Sequence, residues 1–255
     1  MGDAAILLKE GPHYRREAFV AGVKRHNFDV DFRSTGRRAT SRDLLVTWNR
    51  HGWDDEVASR YESAGARVLV AENGYFGQDR SGRQLYALAR NHHNGAGTWT
   101  EGKGDRWTPL GVELKPWRTD GRHILVLPQR GIGPRGVAMP RAWIVDIVRR
   151  LEGATDRPVR VRMHPGKEKV PLEPDFENCW AAVTWGSTAA LKAIVAGIPV
   201  FYEFDRWIGS RAARFGVTNI EDPFLGDRLP MLRRLAWAQW TLAEIESGEA
   251  FRWLL

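Results

Sequence analysis

The residues that decide the fold read RVRMHPGKEKVPLEPDFENCWAAVTWGSTAALKAIVAGIPVF, positions 160–201. Two short apolar runs at residues 159–163 and 181–185 have the composition of buried parallel strands. The first opens into His164-Pro165-Gly166-Lys167, an imidazole and a lysine about a proline-set turn. The second opens into Gly186-Ser187-Thr188 and a helix expected over residues 189–196, closed by Gly197 and Pro199. Ser and Thr cap helix N-termini, and the first-turn amides of a helix carry partial positive charge. Strand, small polar turn and helix N-terminus together hold phosphate in open α/β sheets. Two such ends side by side predict a site for a diphosphate or phosphosugar. Taken singly, His164 reads equally as a turn residue bonded by backbone, and Ser187 and Thr188 as ordinary caps. The Gly197-Ile198-Pro199-Val200 turn reads as structural. The phosphate reading rests on the conjunction.

Upstream, residues 123–128 form a strongly apolar strand followed by Gln129-Arg130-Gly131-Ile132-Gly133-Pro134-Arg135-Gly136. Gly131 and Gly133 permit close backbone approach, and Arg130 supplies a planar fork suited to phosphate oxygens. A helix follows over residues 140–151, with Trp143, Ile144, Ile147 and Val148 inward. Downstream, a strand over residues 200–204 ends in Tyr202, Glu203 and Phe204, where a base or ribose would dock. Residues 228–255 read as mostly helical and rich in tryptophan.

With the His164-Pro165 pair and the run strand–Gly186-Ser187-Thr188–Ala189-x-x-x-Ala193-Ile194-x-x-Gly197-Ile198-Pro199-Val200 in view, residues 124–201 resemble the C-terminal half of GT-B glycosyltransferases. The likeness is to the capsule and sialyltransferase-like groups and to small glycosyltransferases of phage genomes. It implies that His164 and the Ser187/Thr188 pair hold the phosphates of a nucleotide-sugar donor, a UDP-sugar. It further implies a leaving group stabilised by positive charge and helix dipole, without a metal cofactor. Many relatives carry an acidic residue on the donor ribose about where this chain has Lys192, so the nucleotide stays open.

The first half alternates strand and helix as an α/β chain does. Strands are expected at residues 4–8, 28–32, 44–48 and 67–71. Helices are expected at residues 15–26, with Phe19, Val20 and Val23 on one face, and at residues 54–64, capped by Asp54 and ended by Gly65. The strand at 67–71 is expected to end at Glu72-Asn73-Gly74, and no GxGxxG motif is present. Fold class is therefore α/β, and the resemblance implies two Rossmann-like halves with a cleft between them and a C-terminal helix crossing back. The domains expected are residues 1–118, with an irregular loop at 90–118, and residues 119–255. Glu72 is the first candidate for a base that takes a proton from an acceptor hydroxyl, and His93 the second. A retaining reaction would need no such base.

The loop holds His92, His93, Asn94, Trp99 and Trp107 in a Gly- and Lys-rich setting. A long irregular stretch inside a compact protein is usually functional or disordered, and the glycines, histidines and tryptophans here suggest a loop shaped for a ligand. By the resemblance it faces the acceptor, with His92, Asn94, Trp99 and Trp107 as contacts. Adjacent histidines on an extended chain point opposite ways, and no Cys or acidic partner has ligand spacing, so no metal site is expected.

The chain of 255 residues carries 38 Lys+Arg against 31 Asp+Glu, net +7, which suits an acidic partner. Its 12 tryptophans fit a core or groove, and basic charge among aromatics also holds splayed nucleotides. Together with the phage resemblance, this points to DNA as acceptor, a sugar being placed on a flipped hydroxymethylated base of the 5-hydroxymethylcytosine type. A glycan acceptor of the capsule type, a non-catalytic nucleotide or nucleic-acid binder, and a sugar-phosphate epimerase are the alternatives. Few carboxylates flank the motifs, which counts against the epimerase. The single cysteine, Cys179, excludes an internal disulfide. No charged leader and no apolar run of about 18 residues is seen, so a cytoplasmic protein without a membrane span is expected, in the host cytoplasm if phage-encoded.

Overall fold

The structure, a computed structural model, describes residues 2–32, 36–93, 96–166, 168 and 170–255. It divides into two compact units, Met1–Gly111 with Arg233–Leu255, and Val112–Leu232. The chain enters the first unit through β1 (Gly2–Leu7), α1 (Arg16–Lys24), β2 (Phe28–Val30), β3 (Leu44–Trp48), α2 (Trp53–Ser63), β4 (Arg67–Gln78) and β5 (Gln84–Arg90). The second unit holds β6 (His123–Leu127), α3 (Trp143–Glu152), β7 (Val159–Val161), β8 (Cys179–Thr184), α4 (Ala189–Val195), β9 (Val200–Tyr202) and β10 (Arg214–Phe215). After α5 (Leu229–Ala236), the chain adds β11 (Gln239–Thr241), α6 (Leu242–Glu246) and α7 (Glu249–Arg252) to the first unit. The second unit therefore ends at Leu232 rather than running to residue 255, and the mostly helical tail expected at 228–255 includes a strand.

In the first unit the sheet order is β11-β5-β4-β3-β1-β2. Strands β1 to β4 run parallel, and β5 and β11 close the edge antiparallel. The near-continuous apolar runs of β1 and β3 are what a sheet buried on both faces requires. Leu45, Val57, Tyr61, Val68 and Val70 form one of its cores, and Phe19, Trp240 and Phe251 are fully buried within the same unit. Burial of each such side chain is worth about 1.5–3 kcal/mol before entropy.

Strand β4 departs from expectation. Asn73-Gly74 does not turn the chain, so Glu72 is not at a strand end. The strand instead continues to Gln78 with an irregular register against β5, pairing Glu72 with Ala87. Gly74 allows that close pairing, since a Cβ there would stand 2.6 Å from the Leu85 carbonyl oxygen. The chain turns later, where the Asp79 carboxylate accepts the backbone N–H groups of Ser81 and Arg83. Asp54 is not the cap of α2 either. Gly52, with φ 56°, occupies that position, and Asp54 lies in the first turn.

The second unit is an all-parallel sheet of order β10-β9-β8-β6-β7. Ile124, Val126, Val183 and Phe201 pack against Trp143 and Ile147 of α3, the face the sequence predicts. Strand β7 is shorter and more exposed than expected, because it forms the sheet edge and only β6 pairs with it. Gly197, with φ 78°, ends α4 on schedule. Its missing side chain matters, since a Cβ there would stand 2.0 Å from the Pro116 carbonyl oxygen.

Candidate functional site at the carboxyl ends of β6, β7 and β8

The winding of the second unit fixes where its loops meet. From β6 the chain crosses to β7 on one side, then to β8 on the other, and on outward to β9 and β10. The switch point of the sheet therefore lies between β6 and β8, and ligands of open α/β sheets bind at such points beyond the carboxyl ends of the strands. The loops leaving β6, β7 and β8 carry, in turn, Arg130, Gly131 and Gly133, then His164, then Gly186, Ser187 and Thr188. Motifs far apart in sequence thus leave three adjacent parallel strands at one end.

Two contacts lock the β6 and β8 loops together. Gln129 Nε2 donates to the Gly186 carbonyl at 2.8 Å, and Trp185 Nε1 donates to the Val137 carbonyl at 3.1 Å. Trp185 also stacks on Phe204 at 6.0 Å and meets Trp143 edge-on at 6.3 Å. With Nε2 committed to Gly186, Gln129 Oε1 is buried without a hydrogen-bond partner among the described residues. A buried acceptor left open at a switch point suits a donor group on a ligand. No sequence motif marks Gln129, since its position follows from the adjacency of two strands.

Gly131 and Gly133 have φ of 67° and 130°, so the loop takes a path closed to most side chains. At the β8 end, Thr184 Oγ1 accepts the Ser187 N–H at 2.8 Å, and Ser187 Oγ accepts the Ala189 N–H at 3.2 Å. The Ser187 hydroxyl therefore braces the turn, and Thr188 makes no side-chain cap bond. His164 is exposed, and its Nδ1 accepts the Gly166 N–H at 3.0 Å. That bond leaves the imidazole proton on Nε2, a donor pointed away from its own turn. Partial burial and the nearby Arg130 charge hold its pKa below the ordinary histidine value, so the ring is neutral at neutral pH.

Other predicted residues stand elsewhere. Glu203, at the end of β9, accepts from Trp143 Nε1 at 2.9 Å and pairs with Arg150 at 2.6 Å, so it is committed to α3. Lys167 and Asn94 lie outside the described residues. In the first unit, Glu72 is 8% exposed and accepts the Tyr75 hydroxyl at 2.9 Å within β4. Burial and the Glu72 charge push the Tyr75 pKa well above the usual tyrosine value. His93 is buried, and its Nδ1 accepts the Arg50 backbone N–H at 2.9 Å. His92 is half-buried beside it. Trp99 and Trp107 are buried packing residues in this structure. Trp99 donates to the Arg234 carbonyl at 3.0 Å under its guanidinium, and Trp107 meets Phe76 edge-on at 5.5 Å. No group of three or more His, Cys, Asp or Glu side chains among the described residues is arranged to hold a metal ion. Cys179 is a buried thiol whose pKa burial pushes up to about 12.

No family model matches the sequence, and no curated protein matches it. Among solved structures, the chain is similar to KpsC of Thermosulfurimonas dismutans, beta Kdo 2,4 transferase. The identity is 11%, over 93% of this chain and 92% of that one, with a TM-score of 0.53. It is also similar to KpsC of the same organism, beta Kdo 2,7 transferase, at 11% identity over 98% and 99% of the chains, with a TM-score of 0.50. At such identity the likeness is one of fold, an α/β chain of two Rossmann-like halves.

Proposed function

We propose that the protein is a glycosyltransferase that moves a sugar from a nucleotide-sugar donor, a UDP-sugar, to a hydroxyl group of a glycan. The observation that carries the reading is the convergence of three separate phosphate-type loops at the switch point of the second unit's parallel sheet. Arg130, the His164 Nε2–H, the Thr188 hydroxyl and the backbone about Gly131 and Gly133 would hold the diphosphate. Lys167 is kept in the set from its position in the motif. As the bond from sugar to phosphate breaks, negative charge grows on the leaving oxygen, and fixed donors there lower the barrier. The buried Gln129 Oε1 would take a hydroxyl or N–H of the donor. No metal is needed for this reading.

The acceptor is the point of change. A hydroxymethylated base in phage DNA draws no support from the two similar structures, both named as Kdo transferases. A glycan acceptor agrees with those names, and the net charge of +7 serves an acidic glycan as well as a nucleic acid.

The test is sugar transfer from UDP-, GDP- and CMP-sugars to a Kdo-terminated oligosaccharide and to DNA containing 5-hydroxymethylcytosine, read by mass spectrometry. The expected result is a one-sugar mass gain on the oligosaccharide, reduced about 10²-fold or more in His164→Ala. A gain on the DNA alone would restore the DNA acceptor. Nucleotide binding with no transfer to either, and no hydrolysis of the donor, would make the protein a binder rather than a transferase.

A further inference from the structure

On the irregular segment after β5, one stretch stays open although Trp99 and Trp107 have packed inward. Lys103, Gly104, Asp105 and Arg106 line a cavity of about 250 Å³ together with Arg233 of α5 and Trp237. All six residues belong to the first unit. Trp237 is the apolar wall, 8% exposed and met edge-on by Trp253 at 4.8 Å and Trp240 at 6.4 Å. The loop passes so close to that indole that a Cβ on Gly102 would stand 2.2 Å from its ring, an approach that glycine permits.

The charges around this cavity do not cancel. Arg106 is committed, since it pairs with Glu244 at 2.7 Å and donates to the Gln239 carbonyl at 2.8 Å. The Asp105 carboxylate accepts the N–H groups of Trp107 at 2.9 Å and Thr108 at 3.1 Å. Hydrogen bonds from Thr108 and Trp107, with the Arg233 charge, hold its pKa below the ordinary carboxylate value. Arg234, beside Arg233 on α5, pairs with Glu101 at 2.9 Å and lies over Trp99 at 4.5 Å. Lys103 and Arg233 are exposed, and among the described residues neither makes an ion pair or a side-chain hydrogen bond. Nor does the end of α5 require Arg233. The Arg234, Leu235 and Ala236 carbonyls already accept the Trp237 N–H, the Ala238 N–H and Arg106 Nε. With Glu244 set against Arg106 and Asp105 against one further cation, one positive charge around the cavity is left over.

We infer that this cavity is a site for a singly charged oxyanion, the carboxylate of an acidic sugar, held by Lys103 and Arg233 with the sugar ring against Trp237. A guanidinium forks onto a carboxylate with two parallel N–H···O bonds, and an ammonium adds a point charge. The cavity falls below the roughly 300–1,000 Å³ of pockets that enclose drug-sized ligands, so it suits one sugar residue rather than a nucleotide. One surplus positive charge matches a carboxylate, whereas the ionised Asp105 on the rim opposes a doubly charged phosphate. Nucleic-acid sites are dominated by many cations, and here two are uncommitted. The existence of the site is independent of the second unit. Its use in gripping an acidic acceptor glycan rests on the glycosyltransferase reading above.

The test is titration of the full chain with glucuronate, glucose and dimethyl phosphate, read in the backbone amide chemical shifts of wild type, Lys103→Gln and Arg233→Gln. Both side chains are exposed, so both variants are expected to melt as wild type does. The expected result is saturable shifts at residues 102–106 and 237 with glucuronate and none with glucose. Affinity for glucuronate should fall about tenfold in each variant. Absence of saturable shifts at these amides in wild type, or unchanged affinity in either variant, would overturn the proposal. So would an equal response to glucose, or tighter binding of dimethyl phosphate than of glucuronate, which would make the ligand a phosphodiester. UDP binding at the loops after β6 and β8 tests the donor site separately, and its failure would leave the glucuronate result standing.

Discussion

Arg106 shows how a single cation organises a segment with little secondary structure. Its guanidinium lies 4.0 Å over the Trp240 ring and 5.5 Å from Trp237, pairs with Glu244 at 2.7 Å, and donates to the Gln239 carbonyl at 2.8 Å. Glu244 in turn closes a capping box with Thr241 at the start of α6. Burial alone would raise the Glu244 pKa, but hydrogen bonds from Arg106 and Thr241 outweigh it and hold the carboxyl below its usual value of 4.5. A depressed carboxyl contributes stability above its unfolded-state pKa and loses it as pH falls through the folded value. Arg106→Ala is therefore predicted to cost about 2–3 kcal/mol at pH 7, with a smaller penalty at pH 3. Urea unfolding of both proteins at the two pH values checks this, and an equal penalty at both would show that Glu244 is not the partner that matters.

Among the elements, α1 depends on a glycine for its packing. A Cβ on Gly22 would stand 2.0 Å from the Ile245 carbonyl oxygen and 2.6 Å from the Phe251 ring, so α1 lies directly against the chain's terminal segment. Helix propensity alone would make Gly22→Ala stabilising by about 1 kcal/mol. Contact with a backbone carbonyl should reverse the sign, at about 1–3 kcal/mol of overpacking or more. The melting temperature should therefore fall by several degrees, and a rise would mean the terminal segment does not dock there.

The same docking explains which elements were legible in the sequence. Strands β3 and β6 were read at their true positions, because uninterrupted apolar runs admit few other structures. Strand β11 was not, since Gln239, Trp240 and Thr241 read locally as helix and become a strand only by pairing with Leu85, Tyr86 and Ala87. Asn73-Gly74 signalled a turn on local grounds and was overridden by β5. The site divides likewise. Arg130, His164 and Ser187 follow apolar strands with motif residues that mark them, whereas Gln129 matters through a neighbouring strand.

At the scale of the molecule, both units wind from their first strand to either side, and each sheet has one switch point among its parallel strands. No helix among the described residues is long and apolar enough to cross a membrane. The central claim is that the switch point of the second unit holds the donor phosphates. The most direct measurement is the change in backbone amide chemical shifts on titration with UDP. The account predicts that the largest shifts fall in the loops after β6 and β8, at residues 129–137 and 186–189, and vanish together in an Arg130→Ala, His164→Ala double variant. Saturable shifts that leave those amides unmoved and gather elsewhere would contradict it.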